Sequence, residues 1–411
     1  MQRAASLLTV GLLLSPAAAA GRPQALVQPV QYRSVEVLEP DEPLFSRPAG
    51  GSPRRGAAEK GARLPLYKAA RGGGCGGRWL LVGTGAWICE DRVRLSTRPA
   101  PRPTPAPGAA SGPALPHAYY LVGPDGSFGY ERLADAEDVA PAAQLEPDFI
   151  VAVVRVAAKY PGADYALTTH GLWLPMRDLS PVAAPSFHGV ALEGSLDVGW
   201  VHADHAAEYQ RPGGARTAAR RPRLSSFRVA ERQRVGGRRW YRTDDGAWLR
   251  GDHVRVPTLA APPEGVGAGE RWIDVELEQQ TLTAYEGARP VYATLVSTGR
   301  GPQSSDSATP KGEFRVWVKL LTSDMNNLEA EAPGRYYAID DVPWVMFFHK
   351  GYGLHGAFWH DDFGNVRSHG CVNLAPRDAR WLFEWTAPSL PTGFRALLPS
   401  PGEPATLIRV R

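Results

Sequence analysis

The sequence predicts a mainly β protein built from several domains, on three observations. Its 411 residues are enough for two or three domains. Residues 271–299 alternate apolar and polar side chains between short turns, a pattern typical of antiparallel strands. Residues 375–388 have the one convincing helical pattern of this region, with Trp381 and Trp385 on the same face.

The first twenty residues have the pattern of a secretory signal peptide. Arg3 supplies the positive start, residues 7–14 the apolar core and residues 18–20 a small-residue cleavage site. A transmembrane anchor is the alternative, but this apolar run is too short to cross a bilayer. We therefore expect an exported mature protein, in the periplasm or cell wall, with no membrane span.

Composition predicts where the chain divides. Residues 21–62 are rich in Gly, Pro and Arg without periodicity, which indicates a flexible leader. Residues 98–116 carry seven prolines and read as a stiff linker. Residues 257–270 mark a second linker by the same criterion. We therefore place folded units at 63–97, 117–256 and 271–411.

Net charge gives little indication of a partner. The formal charge of the chain is +4, which is mild. The basic run at residues 220–228 lacks interleaved aromatic side chains, and export also argues against a nucleic-acid partner. We interpret the run as a solvated loop. The oligomeric state cannot be inferred from this composition.

An internal repeat lies between these boundaries. Residues 78–95 and 239–256 share Arg, Trp, Gly, Ala, Trp, Asp, Val and Arg at matching positions, and residues 165–182 are a fainter third copy. Each copy predicts a strand, a tight turn at Gly and a second strand. Such hairpins cannot bury a face alone, so each should belong to a small barrel.

The repeat resembles bacterial SH3-like modules, which are often cell-wall attachment or spacer domains. The resemblance implies one module at 63–97 and two within 117–256. The aromatic side chains of the repeat are either packing residues or ligand-binding residues, and the sequence leaves both readings open. They are Trp79, Trp87, Trp173, Trp240 and Trp248.

The three cysteines divide into a pair and a single residue. Cys75 and Cys89 lie fourteen residues apart in one Gly-rich segment, so an oxidising compartment favours a disulfide between them. Cys371 is left over. An odd cysteine in an exported protein indicates a reactive thiol, and a buried inert cysteine is the alternative.

The stretch "LHGAFWHDDFGNVRSHGCVNL" at 354–374 places histidines around that cysteine. A thiol with a pKa of about 8.5 is only slightly ionised at neutral pH, so it needs a neighbouring base. His369 is two residues from Cys371, a spacing that rarely gives a good hydrogen bond. His355 comes from a separate strand end, so we predict Cys371 as nucleophile and His355 as general base and acid.

The small residues around these groups have predicted supporting roles. Gly370 lets the backbone turn sharply, so that its N–H and that of Cys371 face a substrate carbonyl as an oxyanion hole. Gly356 clears space beside the base. Ser368 is expected to bond the turn or His369, which we assign as a structural or orienting partner.

Two further assignments complete the predicted site. We expect no metal and no cofactor, because the nearby candidate ligands lack any familiar spacing; these are His349, His355, His360, Asp361, Asp362, His369 and Cys371. Residues 359–364 are interpreted as a lid or loop near the cleft. Candidate cleft walls, each with core packing as the alternative, are Trp344, Met346, Tyr352 and Phe358.

The pattern "HG…SHGCVN" resembles the signature of L,D-transpeptidases with a YkuD-type catalytic domain. The segments "IDVELEQQTLTAYEG", "STG", "TPKGEF" and "VPWVMFF" resemble further elements of that family, so the likeness covers residues 271–411. It implies a β-sandwich with one short helix after the nucleophile Cys371. Asn373 stands where many members have Arg, and we expect it among the substrate-binding residues.

The resemblance also implies a reaction on peptidoglycan stem peptides. The Cys371 thiolate would attack the carbonyl before the terminal D-Ala, and His355 would protonate the departing amine. The resulting thioester would pass to an amine of a second stem peptide, giving a 3→3 cross-link. Water or a protein amine as acceptor would give trimming or wall attachment instead. A non-catalytic wall-binding protein is the alternative from a different class.

Overall fold

The computed structural model describes residues 32–101, 113–328 and 337–411. These residues form 33 β-strands, one α-helix and three single-turn 3-10 helices, so the prediction of a mainly β chain is confirmed. The predicted signal peptide and most of the predicted Pro-rich linker lie outside the described residues. Within the described ranges, no helix has the length and apolar character needed to cross a membrane.

The first module is larger than predicted, because three of its strands lie in the predicted leader. Its strands are β1 (Ser34–Val37), β2 (Glu42–Phe45), β3 (Arg54–Ala58), β4 (Arg63–Pro65), β5 (Lys68–Ala70), β6 (Trp79–Gly83), β7 (Ala86–Cys89) and β8 (Val93–Ser96). The flexible-leader prediction is therefore wrong from residue 34 onward. Alternating apolar side chains such as Val35 and Val37 pack against Leu64 and Leu80 in one core. Cys75 and Cys89 form a disulfide in this module.

The middle module follows, and a short strand connects it to the next module. Its strands are β9 (Ala118–Val122), β10 (Ser127–Gly129), β11 (Ala143–Leu145), β12 (Ile150–Tyr160), β13 (Ala163–Thr168), β14 (Trp173–Pro175) and β15 (Leu179–Val182), followed by β16 (Val190–Ala191). The long strand β12 pairs with both β9 and β13.

The third module precedes the C-terminal unit. Its strands are β17 (Val198–Val201), β18 (His205–Tyr209), β19 (Arg216–Pro222), β20 (Ser226–Val235), β21 (Arg238–Thr243), β22 (Trp248–Arg250) and β23 (Val254–Arg255). The basic run 220–228 falls on the end of β19, the turn after it and the start of β20, and most of its residues are half-buried or buried. The prediction of a solvated loop is therefore wrong, because Arg221 and Arg223 pair with the carboxylates of Glu208 and Asp362.

The predicted repeat has a structural counterpart in all three modules. In the first copy β6, a turn and β7 are followed by one 3-10 turn and β8, and in the fainter copy β13, β14, a 3-10 turn and β15 follow the same order. The remaining copy contains β21, β22 and β23. Trp79, Trp173, Trp240 and Trp248 are buried, which favours packing for these four rings. The likeness to SH3 barrels remains a prediction.

The C-terminal unit is a two-sheet sandwich. Its elements are β24 (Arg271–Glu276), β25 (Thr281–Glu286), β26 (Arg289–Leu295), β27 (Gly312–Arg315), β28 (Val318–Asn326), β29 (Ala338–His349), β30 (Tyr352–Gly356), β31 (Val372–Leu374), α1 (Pro376–Trp385), β32 (Phe394–Leu397) and β33 (Leu407–Val410). One sheet has the order β16-β26-β25-β24-β33-β27, and β28 to β31 belong to the other. Apolar side chains from both sheets and from α1 share one core.

All three modules are joined to this sandwich. Strand β3 of the first module pairs with β32, and β12 of the middle module meets β29 at Ile150 and Ile339. Residues 257–270, predicted as a linker, pack along the sandwich: the Ala260 N–H donates to the Tyr285 hydroxyl at 3.1 Å. The sandwich is therefore braced by neighbouring modules on several sides.

Candidate active site

The pairing of β30 with β31 places the predicted catalytic side chains on one face. His355 lies opposite Asn373, and Leu354 lies opposite Val372. Leu354 and Val372 are buried in the sandwich core. Because side chains alternate along a strand, His355 and Asn373 point away from that core, and Cys371, two residues before Asn373, shares their side.

These side chains open onto one cleft of about 680 Å³. Cys371, His355 and Asn373 line it together with Ser368 and His369, so the structure brings together most of the predicted site. Its wall also contains Arg300, Arg367 and Trp359 from the sandwich and Asp148 from the middle module. The sequence analysis placed Trp359 in a loop near the cleft but did not indicate Arg367, and it gave no sign of Arg300 or Asp148, which come from segments remote in the chain.

A hydrogen-bonded turn presents Cys371. The Ser368 hydroxyl donates to the Cys371 carbonyl at 2.5 Å and accepts the Gly370 N–H at 3.0 Å. The Thr309 hydroxyl donates to the Gly370 carbonyl at 2.7 Å. Ser368 therefore supports the turn as predicted. The predicted oxyanion role of the Gly370 N–H is wrong, because this N–H already donates its hydrogen bond to the Ser368 oxygen.

Gly370 is required by both conformation and space. Its φ angle of +123° lies in a region that residues with a side chain rarely adopt. A Cβ at this position would also lie 2.5 Å from the ring of Tyr352. The sharp turn before the cysteine therefore depends on glycine.

His355 is held as a neutral base. It is only 2 % exposed, and burial lowers its pKa to about 4. Its Nδ1 lies 3.3 Å from the Gly356 carbonyl, which can only accept, so Nδ1 carries the proton and Nε2 is the basic nitrogen. The ring of Trp359 stacks on the imidazole at 5.9 Å. Near neutral pH His355 is therefore unprotonated at Nε2, and this nitrogen is available as a base.

Cys371 rests as a thiol. Burial raises the pKa of Cys371, and the backbone N–H of Gly353 opposes that shift by hydrogen bonding to the sulfur. The Sγ atom donates to the Gly351 carbonyl at 3.7 Å. The resting state is thus a neutral thiol beside a neutral imidazole, and ionisation requires proton transfer within the cleft.

His369 belongs to the wall of the cleft. Its Nε2 lies 3.0 Å from Nη2 of Arg300, a donor, so Nε2 accepts. Its ring stacks on Tyr337 at 5.8 Å. Burial and the Arg300 charge lower the pKa of His369. These contacts fit the predicted orienting role and leave the base function to His355.

Asn373 lies at the inner end of the cleft beside a second buried histidine. Its amide is 3.0 Å from Nε2 of His360, whose Nδ1 accepts the Asp362 N–H at 3.1 Å. The sequence interpretation placed His360 in a loop near the cleft and gave it no role. The only signal in the sequence was a second His five residues after His355, the strand partner of Asn373.

Three of the predicted cleft walls lie in the core instead. Met346 is fully buried in the sandwich, and Phe358 packs on Tyr119 with ring centres 4.0 Å apart. The Trp344 indole donates to the Ala114 carbonyl at 2.9 Å and packs in the same core as Met346. This correction follows from strand alternation and from contact with the middle module, neither visible in the local sequence.

Tyr352 alone of these aromatic candidates lies near the nucleophile. It is half-buried, packs against Gly370 and donates its hydroxyl to the Asp306 carbonyl at 3.0 Å. Burial is the main cause that raises the pKa of Tyr352, and the neighbouring Asp306 and Cys371 raise this pKa further. Tyr352 therefore borders the catalytic turn.

The histidines and aspartates around Cys371 do not gather into a metal-binding group. Among the described residues, the groups with closely spaced ligand atoms are Cys75, Cys89 and Asp91, and His170, Asp324 and Asp340. The two cysteines of the first group are joined in the disulfide. In the second, His170 Nε2 lies 3.4 Å from Asp324, which raises the pKa of His170 to about 9.

The sequence of the C-terminal unit is similar to those of known L,D-transpeptidases. Residues 270–399 match the YkuD family model, described as the L,D-transpeptidase catalytic domain. The putative L,D-transpeptidase YciB of Bacillus subtilis (strain 168) is 31% identical over 124 residues, covering 28% of this chain and 59% of that protein. The chain therefore spans less than two thirds of the length of this curated relative.

Solved structures of L,D-transpeptidases are also similar to part of this chain, at low sequence identity and low TM-score. The catalytic domain of the E. faecium L,D-transpeptidase is 24% identical, with 35% of this chain and 98% of that chain covered and a TM-score of 0.26. The L,D-transpeptidase of Mycobacterium smegmatis is 16% identical, with 64% and 99% covered and a TM-score of 0.28.

The sandwich thus carries a cleft into which the free thiol of Cys371 and the imidazole of His355 both open. Residues 270–399 are similar to the L,D-transpeptidase catalytic domain that the YkuD family model describes.

Proposed function

We propose that the chain is an L,D-transpeptidase that acts on peptidoglycan stem peptides through a Cys371 thioester. The observation that carries this proposal is the shared face of β30 and β31, which brings a buried neutral imidazole and a lone thiol to one cleft. The family match supplies the substrate class. The signal-peptide pattern of residues 1–20 further supports action outside the cytoplasm.

The resting protonation states define the first step. His355 Nε2 removes the thiol proton as the sulfur attacks the carbonyl carbon that precedes the terminal D-Ala. The electron pair of that carbonyl moves onto its oxygen. With the Gly370 N–H bound to Ser368, the oxyanion is stabilised by the Cys371 N–H, which lies at the turn beside the sulfur.

The second step uses the same proton. The tetrahedral intermediate collapses, the C–N bond to D-Ala breaks, and His355 gives its proton to the departing amine. The acyl group remains on Cys371 as a thioester. An amine of a second stem peptide then attacks the thioester carbonyl, and His355 accepts the amine proton. The C–S bond breaks, the sulfur of Cys371 takes the proton back from His355, and the product is the 3→3 cross-link.

Mass spectrometry of muropeptides tests the proposal. Incubation of the purified chain with disaccharide-tetrapeptide should release D-Ala and form cross-linked dimers, whereas Cys371→Ala should do neither. A control variant with both Cys75 and Cys89 changed to Ser retains Cys371 and should still release D-Ala. Full D-Ala release by Cys371→Ala would overturn the mechanism.

The same spectrum separates the acceptors. Dimers identify a stem-peptide amine as acceptor, and tripeptide without dimers identifies water. Wall pelleting without any turnover would favour a non-catalytic binding protein. Dimer and tripeptide differ in mass, so the spectrum distinguishes cross-linking from trimming, and the pelleting assay identifies binding without turnover.

A further inference from the structure

The amide of Asn373 connects the cleft to a buried histidine. The atom placed as its Nδ2 lies 3.0 Å from Nε2 of His360. Asn373 is only 5 % exposed, and it lines the cleft that also contains Cys371. In the described part of the chain, no hydrogen bond engages the other terminal atom of this amide. That atom is available to a ligand in the cleft.

The proton of His360 can be assigned from its second nitrogen. The backbone N–H of Asp362 donates to Nδ1 of His360 at 3.1 Å. A ring nitrogen that accepts a hydrogen bond carries no proton, so the neutral ring has its proton on Nε2. Burial, and after it the positive charge of Arg367, lowers the pKa of His360 to about 3. The ring is therefore neutral near pH 7.

The Nε2–H group of His360 then requires an acceptor. An amide NH₂ in front of it would set two donors against each other. A half-turn of the amide exchanges its oxygen and nitrogen at nearly the same positions, and hydrogen-bond balance decides between the two orientations. The balance here places Oδ1 of Asn373 against His360 and its NH₂ group toward the cleft.

We propose that His360 is a positioning residue that fixes the Asn373 amide with its NH₂ group facing the cleft as a donor. Asn373 shares a strand face with Cys371 and lies opposite His355. A donor at this position binds an oxygen of the acyl-donor stem peptide, either a peptide carbonyl or a carboxylate. This choice of ligand rests on the proposed function, whereas the tautomer of His360 does not.

The surrounding loop holds His360 in place. Its ring contacts those of Phe363 and Trp359, with centres 5.1 and 6.1 Å away. Arg223 of the third module donates to the Asp362 carboxylate at 3.0 Å and to the Phe363 carbonyl at 3.2 Å. The orientation of Asn373 is therefore stabilised from outside the sandwich as well as within it.

Nitrogen-15 NMR of the histidine side chains tests the tautomer directly in the full chain. We expect His360 to show a protonated Nε2 and an unprotonated Nδ1, unchanged between pH 7 and pH 5. A protonated Nδ1, or titration in that range, would overturn the proposal. This spectrum needs no substrate and no activity.

Substitution tests the donor at Asn373. Asn373→Asp keeps an oxygen for His360 Nε2–H but replaces the donor with a carboxylate oxygen, so kcat/KM for the stem peptide should fall roughly 10- to 100-fold, mainly through KM. The His360 tautomer should not change. The control Asp361→Asn alters an exposed carboxylate on the same loop and should leave both readouts unchanged.

A third variant separates positioning from packing. His360→Phe keeps an aromatic ring in the pocket but leaves the Asn373 amide without a partner, and we expect a several-fold rise in KM at unchanged kcat. Wild-type KM values in both Asn373→Asp and His360→Phe would contradict the proposal. A wild-type chain without turnover would instead refute the proposed function, and the NMR result would still decide the tautomer.

Discussion

At the scale of single residues, burial sets the protonation of the catalytic cleft. His355 and His360 lie behind Cys371, and burial lowers the pKa of His355 to about 4 and that of His360 to about 3. In the unfolded chain both imidazoles would titrate near 6.5. Between about pH 4 and pH 6.5, each of these two imidazoles therefore binds a proton in the unfolded chain but not in the folded protein.

This difference predicts how stability depends on pH. Because the unfolded state binds more protons below about pH 6.5, the free energy of unfolding should fall as pH drops toward 4. His355→Gln removes one of these groups and should recover up to about 3 kcal/mol of the loss by pH 4. Urea unfolding of wild type and His355→Gln at pH 7, 5.5 and 4.5 measures the free energy of unfolding of each. Identical pH slopes in wild type and variant would show that His355 binds its proton in the folded state.

Gly370 gives a second residue-scale prediction. Gly370→Ala places a methyl group 2.5 Å from the Tyr352 ring in a backbone conformation that disfavours it. We expect D-Ala release to fall at least about 10-fold, since the turn that carries Cys371 must move. Gly269→Ala, at a position that does not line the cleft, is the control, because a Cβ there meets no atom within 4 Å. Wild-type turnover in Gly370→Ala would show that the turn tolerates the displacement.

At the scale of elements, helix α1 is fixed at both ends by buried polar groups. The Asp378 carboxylate, fully buried in its first turn, accepts from the Gly189 N–H at 2.8 Å and from the Tyr292 hydroxyl at 2.7 Å. At the other end the ammonium of Lys319 donates to the Thr386 carbonyl at 3.1 Å. Burial lowers the pKa of Lys319 to about 7. The helix directly follows β31 and thereby supports the cleft.

Removal of the Asp378 carboxylate tests this support. Asp378→Ala leaves the Gly189 N–H and the Tyr292 hydroxyl without their partner, and each buried unpaired donor costs about 1 to 3 kcal/mol. The free energy of unfolding should fall by roughly 2 to 4 kcal/mol. Arg377→Ala, at the exposed neighbouring position, should change it by less than about 0.5 kcal/mol. Equal effects of the two variants would contradict the assigned role.

At the scale of the whole molecule, the modules are physically continuous with the sandwich. Strand β3 of the first module pairs with β32, the strand next to β28. Arg255 of the third module donates to the Gly364 carbonyl at 2.9 Å, beside the loop that carries His360. Changes in a module should therefore reach the sandwich.

The disulfide of the first module offers a test of this coupling. Replacing both Cys75 and Cys89 with Ser removes a link across fourteen residues and should destabilise that module by about 3 kcal/mol. Because β3 pairs with β32, amide exchange should also accelerate at residues 394–397. Cys371→Ser, which keeps the disulfide, is the control. Faster exchange confined to residues 34–96 would show that the module unfolds independently.

Much of this architecture was predictable from local patterns. Period-two alternation indicated the strands of the sandwich, and the spacing around Cys371 predicted that Cys371, His355 and Ser368 lie together, as they do in the cleft. The strands at residues 34–58 were missed because Gly, Pro and Arg obscure their alternation. Trp344 and Met346 were misplaced because burial there depends on distant partners, including Ala114. Long-range contacts of this kind leave no local signal.

The contribution of His360 was equally invisible to the sequence. Its significance comes from two hydrogen bonds on one ring, to the Asp362 backbone and to the Asn373 amide, and both depend on the folded loop. Arg223, which holds that loop, comes from another module. A motif can thus predict a nucleophile and its base, whereas the contacts between His360, Asn373 and Arg223 become visible only in the assembled fold.

The most direct measurement of the central claim is peptide mass spectrometry of the enzyme quenched during turnover of a tetrapeptide stem. The account predicts an adduct equal to the stem peptide without its D-Ala, attached to the fragment containing Cys371 and missing in His355→Ala. An adduct on another residue, or rapid D-Ala release with the Cys371 thiol unmodified throughout, would contradict it.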